Sequence, residues 1–493
     1  MKYFEKNQWI SMYPYLKRIN CTMSPKYFKY YKLSQNIFCL FVFLASISNQ
    51  ALSSANEVLP ALAYADVRSY GAKGDGISDD TVAIQNALKN NRNVLIPKGK
   101  YLVKELVIYN NTRLLGITGQ SVLKNMEGST FILSAYVNNK VNNNNSNTKN
   151  IEINGITFEG RSVEDGFSEH EHNLRLVAVS NATITNCTFH SFRGDGIYIG
   201  TIKSGIIRSH NNNISVSRCY FDGVNYKNRN AISIIDGTTI SITDSKFTRT
   251  ANNKMPGAID IEPNSIDETV NDINISRNSF KNIGGNVGVI SFVLRKYEPP
   301  NENNKFNYII NDNSIESSST GITILYRPEK RSEQINLKSF LISNNNIKLM
   351  NRPIDLQGVY GAVIENNDFS VSKLSAKIGA EGELSAVNDI QFKSNKWFEI
   401  GRYNSTGIEI YSANKLTFLE DELIDCGMVI GNISNPIYFK KGNSSYIQFI
   451  RTKFITTNKL KFVYIQKSAE HLTQSETNSF KNCTSNTKII NRL

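Results

Sequence analysis

ATITNCTF at 182–189 and ISVSRCYF at 214–221 are one phrase written twice: alternating apolar and polar residues, a polar corner, a cysteine, then an aromatic ring two positions later. The phrase returns with changes as IEINGITF (151–158), TISITDSKF (239–247), DINISRNSF (272–280) and YIINDNSI (308–315). Further copies are FLISNNNI (340–347), AVIENNDF (362–369), DIQFKSNKW (389–397) and KLTFLEDELI (415–424). Alternation with period two marks strands that bury one face. A repeat that wanders between roughly 22 and 35 residues suits a coil whose turns carry loops of different length. Most copies are followed by a second short strand, as in GDGIYIG from Gly194, NAISII from Asn230, GAIDIE from Gly257, TGITIL from Thr320 and RPIDLQ from Arg352. Strands stacked on like strands form parallel sheets, and about a dozen coils at about 4.8 Å each predict a rod of roughly 60 Å. The fold expected is therefore all-β, a single-stranded parallel β-helix. The many asparagines then have a use, because Asn side chains stacked at a tight turn bond the backbone and one another from coil to coil. The tract Asn142–Asn145 has no alternation around it and reads as a loop.

The ends of such a coil need covers. SDDTVAIQNALKN (78–90) predicts a short capping helix with Ser78, Asp79 or Asp80 as N-cap and Val82, Ala83, Ala87 and Leu88 on its apolar stripe. From about Ser444 the pattern loosens. The expected divisions are a leader over 1–55, a linker and capping segment over 56–91, the β-helix over 92–443, and C-terminal coils and tail over 444–493.

The leader is read from Ile37–Ser48, an apolar run preceded by Lys26, Lys29 and Lys32 and followed by small residues to Ala55. It predicts a signal peptide and an exported, secreted or periplasmic protein with no membrane insertion after cleavage. The run is shorter than the roughly 20 residues a spanning helix needs, and an uncleaved anchor is the alternative. Met23 is an alternative start. Of the formal charge of +13, the first 55 residues hold seven Lys or Arg against Glu5 alone, leaving roughly +7 for the rest. That surplus is spread along the chain, so no nucleic-acid partner is expected, and its sign fits an acidic polymer. Six cysteines show no metal-binding spacing. Cys187 and Cys219 hold the same place in successive copies and are read as stacked thiols rather than a disulfide.

DVRSYGAKGDGISDDTVAIQNAL, from Asp66, resembles the entry motif of the pectate-lyase-like superfamily, which includes pectate lyases, polygalacturonase-like hydrolases, bacteriophage tailspikes and uronan epimerases. The resemblance runs to about residue 430. It implies a right-handed parallel β-helix and a polysaccharide partner, and it leaves the reaction open. RGDGIYIG from Arg193, NRNAISII from Asn228 and PGAIDIEPN from Pro256 are similar to consecutive coils of polygalacturonase-like and epimerase-like members. The GDD, GHG and RIK motifs of true polygalacturonases and the DPH signature of mannuronan epimerases are absent from this sequence.

Equivalent positions of successive coils lie side by side, so aligning the second strands predicts an outward column of Tyr198, Ser233 and Asp260, with Asp355 several coils on. Glu262 falls on a parallel outward column, and Asp195 and Asn230 on the entering turn, after Arg229. Asp195 with Asp260 or Glu262 could act as the acid and base of an inverting glycosidase. The bland alternative for Asp195 is a turn filler between two glycines. Elimination would use the same region differently, with Tyr198, Lys227, Arg229, Arg295 and Tyr326 as base and clamp and the three acids around Ca²⁺. The expected site is thus Asp195, Asp260 and Glu262 for chemistry, and Tyr198, Lys227, Arg229, Asn230, Ser233, Arg295 and Tyr326 for substrate. The sequence names no definite cofactor, and Ca²⁺ enters if the reaction is elimination. His170 and His172 in EHEHN could ligate a metal, but a solvated turn is the preferred reading. His190, directly after Phe189, is expected to flank the cleft, and Tyr226, Tyr297 and Tyr326 suit sugar stacking. Hydrolysis of an acidic polysaccharide leads, with elimination, a non-catalytic glycan binder and a tailspike as alternatives.

Overall fold

The computed structural model describes residues 63–135, 148–201, 209–294, 307–317, 319–326, 339–380, 385–401, 407–426, 428–430, 444–455, 469–474 and 479–481. The expected leader, the Asn142–Asn145 tract, Arg295, Tyr297 and Cys483 lie outside these residues. Within unit 64–493 the chain winds through three parallel sheets, each strand pairing with its counterparts in the coils before and after. The first sheet has 15 strands from Ala65–Asp66 to Ala469–Gln474, the second 15 from Asp75–Asp79 to Ser479–Lys481, and the third 12 from Leu106–Val107 to Met428–Ile430. This is a right-handed parallel β-helix. At about 4.8 Å per strand the long sheets run roughly 65–70 Å.

Alternation explains the packing. In Ala413–Leu419, for instance, Leu416 and Phe418 are fully buried, while Lys415 between the strand's start and its core face is exposed. Inward aromatics stack in register: Phe158, Phe189, Phe221, Phe247 and Phe280 follow one another at centroid separations of 5.0, 4.8, 4.7 and 4.6 Å. Such stacks add about 0.5–1.5 kcal/mol per pair beyond area burial.

The asparagine surplus sits at the bend between the first and second sheets. Asn313, Asn345, Asn367 and Asn395 form a buried ladder, each Oδ1 accepting the backbone N–H of its neighbour one coil earlier at 2.9–3.0 Å. Each Nδ2 also donates to a carbonyl of the preceding first-sheet strand at 2.7–2.9 Å. Cys187, Cys219 and Ser245 occupy the same column earlier in the chain, and Asp421 continues it at the far end. Cys187 and Cys219 are free and buried. The residue before each ladder position takes a positive φ, as at Asn186, Arg218, Asp244, Asn344 and Asn366, a conformation in which Asn and Asp are several-fold enriched.

The capping helix is present as Thr81–Asn90. Its buried face is Ile84, Ala87 and Leu88, whereas Val82, expected on the stripe, is 72% exposed. Val82 lies two positions from Ile84, about 200° round the helix, and so faces away. Asp80 stands at the N-cap position but turns its carboxylate to the amides of Lys73 and Gly74 at 2.6 and 3.0 Å, tying the entry loop down instead of the helix. Two strands that precede residue 92, Ala65–Asp66 and Asp75–Asp79, already pair into the sheets. The capping segment is therefore woven into the first coil. Among the described residues no helix is long and apolar enough to cross a membrane.

Candidate functional site

Three consecutive third-sheet strands, Ile197–Gly200, Ile232–Ile234 and Ile259–Ile261, carry the site. Their isoleucines point into the core, which turns the residues between them outward. Register pairs Tyr198 with Ser233 and Ser233 with Asp260, then runs through Ser291 and Thr323 to Asp355. The column expected from sequence is thus the column observed. Glu262 follows Asp260 on the same face and is half-buried.

Asp195 is no simple turn filler. It sits at the corner entering its strand with no exposed surface. One carboxylate oxygen accepts the Asn230 amide at 3.2 Å, and the other accepts Nη1 of Arg229 at 3.1 Å. His172 Nδ1 lies 3.2 Å from that second oxygen and 3.1 Å from the Asp195 amide. Burial alone would raise this carboxyl; the Arg229 charge, then His172, hold it below its ordinary value.

Asp260 also has no exposed surface, but its setting is poorer. Ser291 Oγ donates to Oδ1 at 2.8 Å, while Oδ2 accepts no hydrogen bond and lies 4.0 Å from Nη2 of Arg229. Burial first, then the charge of Glu262, push its carboxyl up to about 7 against the pull of Arg229. Arg229 therefore stands between two carboxyls that its neighbours have driven apart, one ionised and one near neutrality. Burial works against the guanidinium charge, yet Asp195, Asp260 and Glu169 together keep it protonated.

The remaining expected residues divide. Ser233 accepts from Arg229 Nη1 at 3.2 Å, and the Asn230 side chain ties the Ser233 hydroxyl to the backbone of Gly257. Tyr198 stacks on His172 with centroids 4.8 Å apart, and burial, then Asp195, raise its phenol. Lys227 is exposed on the loop before Arg229. Tyr326 is a correction: it is 4% exposed and belongs to the core, because it shares parity with the inward Ile322 and Ile324. EHEHN divides: Glu169 and His170 form an exposed turn, as expected, but His172 does not belong to it. His172 opens a third-sheet strand, His172–Val177, and is 7% exposed against the Asp195 corner. Sequence reasoning missed His172 and Ser291 as partners of the acids. Parity and coil alignment would have found Ser291. Among the described residues no group of three or more His, Cys, Asp or Glu side chains is placed to hold a metal ion. With Arg229 between Asp195 and Asp260, the acids do not fit the Ca²⁺ cage considered for elimination.

Residues 64–257 match the family model described as rhamnogalacturonase A/epimerase, pectate lyase-like. The chain is 29% identical over 163 residues to the plasmin and fibronectin-binding protein A of Streptococcus pneumoniae, covering 29% of this chain and 23% of that one. It is 25% identical over 198 residues to a capsule K30/K69-specific depolymerase of Klebsiella phage K64-1, covering 36% and 25%. The N-terminal fragment of bacteriophage phi29 gene product 12 superposes with a TM-score of 0.57 at 17% identity, over 90% of this chain and 74% of that one. The matches span about a quarter of the length of these curated relatives. Fold and family match together fit the pectate-lyase-like right-handed β-helix superfamily.

Proposed function

We propose that this protein is an exported enzyme that hydrolyses glycosidic bonds of an acidic, uronic-acid-containing polysaccharide. The observation that carries the reading is Asp260, a carboxyl with no exposed surface and one oxygen without a hydrogen bond, raised to about 7 beside Arg229. An environment that keeps a carboxyl protonated near neutral pH fits it to act as a general acid. Asp260, protonated, donates through its unbonded Oδ2 to the departing glycosidic oxygen. Glu262, about 7 Å along the same outward face, takes a proton from the attacking water, a separation that leaves room for that water in an inverting displacement. Asp195 acts through Arg229 as a positioning residue. Asp195 and Asp260 have no exposed surface, whereas Glu262 is half-buried, so a sugar reaches Asp260 only after the groups around it move aside.

Elimination would need a cation over the sugar carboxylate, and Arg229 is already engaged by Asp195. The sealed acids favour one other reading, a β-helix that binds a glycan without cutting it. Incubation with a panel of uronic-acid polysaccharides separates them. New reducing ends without unsaturated-uronate absorbance support hydrolysis; such absorbance means elimination; binding without either product means a binder.

A further inference from the structure

We infer that Phe167, Tyr226 and Lys227 form a subsite that seats one carboxylated sugar ring beside the Asp195–Arg229–Asp260 network, an inference that rests on the polysaccharide reading above. The loop between the second and third sheets at 223–228 carries strained backbone at two positions. Val224 has φ 65° and Tyr226 φ 59°. A β-branched residue in the left-handed region is an outlier, and such strain persists only when the surroundings over-determine it.

Here they do. Asp222 Oδ1 accepts the Val224 amide at 2.9 Å, and Arg249 in turn grips Asp222. The Asn225 side chain reaches the Ser162 carbonyl at 3.1 Å and also accepts the Lys227 amide at 3.0 Å. The result is a ring held up: Tyr226 is 39% exposed and stands against Gly284 two coils on, where a Cβ would lie 3.4 Å from its Cδ1.

A second aromatic arrives from two coils earlier. Phe167 is 38% exposed on the loop after the short helix Ser162–Asp165. Arg193 pins that loop by donating to the Gly166 carbonyl at 2.8 Å, to the Asp165 carbonyl at 3.1 Å and, bidentately, to Glu171. Lys227 passes so close to Gly166 that a Cβ there would lie 3.9 Å from its Cδ. Both loops lead directly to the acid network: Arg229 is three residues beyond Tyr226, and Glu169, two beyond Phe167, lies 3.7 Å from Arg229 Nε. Two partly exposed aromatic faces on pinned loops give sugar C–H surfaces something to stack on. An exposed ammonium beside them favours a ring that carries a carboxylate.

The test is retention of the full chain on immobilised polygalacturonate, alginate and a neutral glucan, with melting temperatures measured alongside. Tyr226→Gly and Phe167→Ala should each weaken binding to the acidic chain that the parent retains by roughly three- to tenfold. Tyr226→Phe should bind like the parent, and Lys227→Ala should erase the preference for acidic over neutral chains. Tyr226→Gly should keep or raise the melting temperature, since glycine relieves the positive φ, which separates lost binding from lost folding. If Tyr226→Gly and Phe167→Ala bind like a parent that still retains and cuts an acidic chain, the subsite is wrong and the enzyme reading stands. If the parent retains and cuts none of the chains, the polysaccharide reading falls and takes the subsite with it.

Discussion

Replacing Asp260 with Asn should stabilise the protein at alkaline pH and remove its activity at every pH. The carboxyl has no exposed surface, and its folded-state value is raised from 3.8 to about 7. The folded state therefore prefers the neutral acid. The corresponding stabilisation is fully present below pH ~4 and is lost as pH rises through about 7, where the folded chain must carry a buried charge. The difference corresponds to on the order of 4 kcal/mol. Asn cannot ionise, so the variant escapes this loss. It should match the parent within about 1 kcal/mol at pH 4.5 and exceed it by about 2–4 kcal/mol at pH 8. Urea unfolding of both proteins at the two pH values measures it. A stability gap that is the same at both pH values, or that favours the parent at pH 8, would refute the claim that Asp260 is a buried, proton-holding acid. If Asp260 is also the proton donor, parent activity declines as pH rises through about 7, and the variant loses about 10²–10⁴-fold in rate.

Three further outcomes follow from particular contacts. Arg229→Ala leaves Asp195 ionised, buried and without its cation, and should cost about 3–5 kcal/mol in denaturant unfolding. Asn345→Leu removes a ladder side chain that accepts the Asn313 amide and donates to the Ile310 carbonyl; two stranded backbone groups should cost about 2–4 kcal/mol, visible as a lower unfolding midpoint. Cys187 and Cys219 are free and buried, and burial pushes the Cys187 thiol well up. A thiol reagent should accordingly find both only after unfolding, with no change on prior reduction.

The coil was legible because its forces are local and periodic. Strand alternation, the corner asparagines and the recurring phrase all specify one register, and the Tyr198–Ser233–Asp260 column followed from alignment alone. Tyr326 was legible too, since counting by twos from Ile322 puts it inward with Ile324; its aromatic character drew it into the site wrongly. What alignment cannot give is depth. Strand parity says that Asp260 faces away from the core, but it says nothing of how much of that carboxyl neighbouring groups cover, and none of it is exposed. The position of Arg229 between two acids is hidden for the same reason, because a long side chain rooted in a loop reaches two coils at once. His172 looked like part of a polar turn because EHEH has no apolar member; the strand it opens is declared only by Leu174 and Leu176.

Whether Asp260, with Glu262 as base, cuts an acidic polysaccharide is decided by reducing-end release from the parent and from Asp260→Asn, assayed side by side on the same panel. The expected outcome is release by the parent from at least one uronic-acid chain, reduced by about two or more orders of magnitude in a folded Asp260→Asn protein. Equal release by both proteins, or none by the parent on any chain, would contradict it.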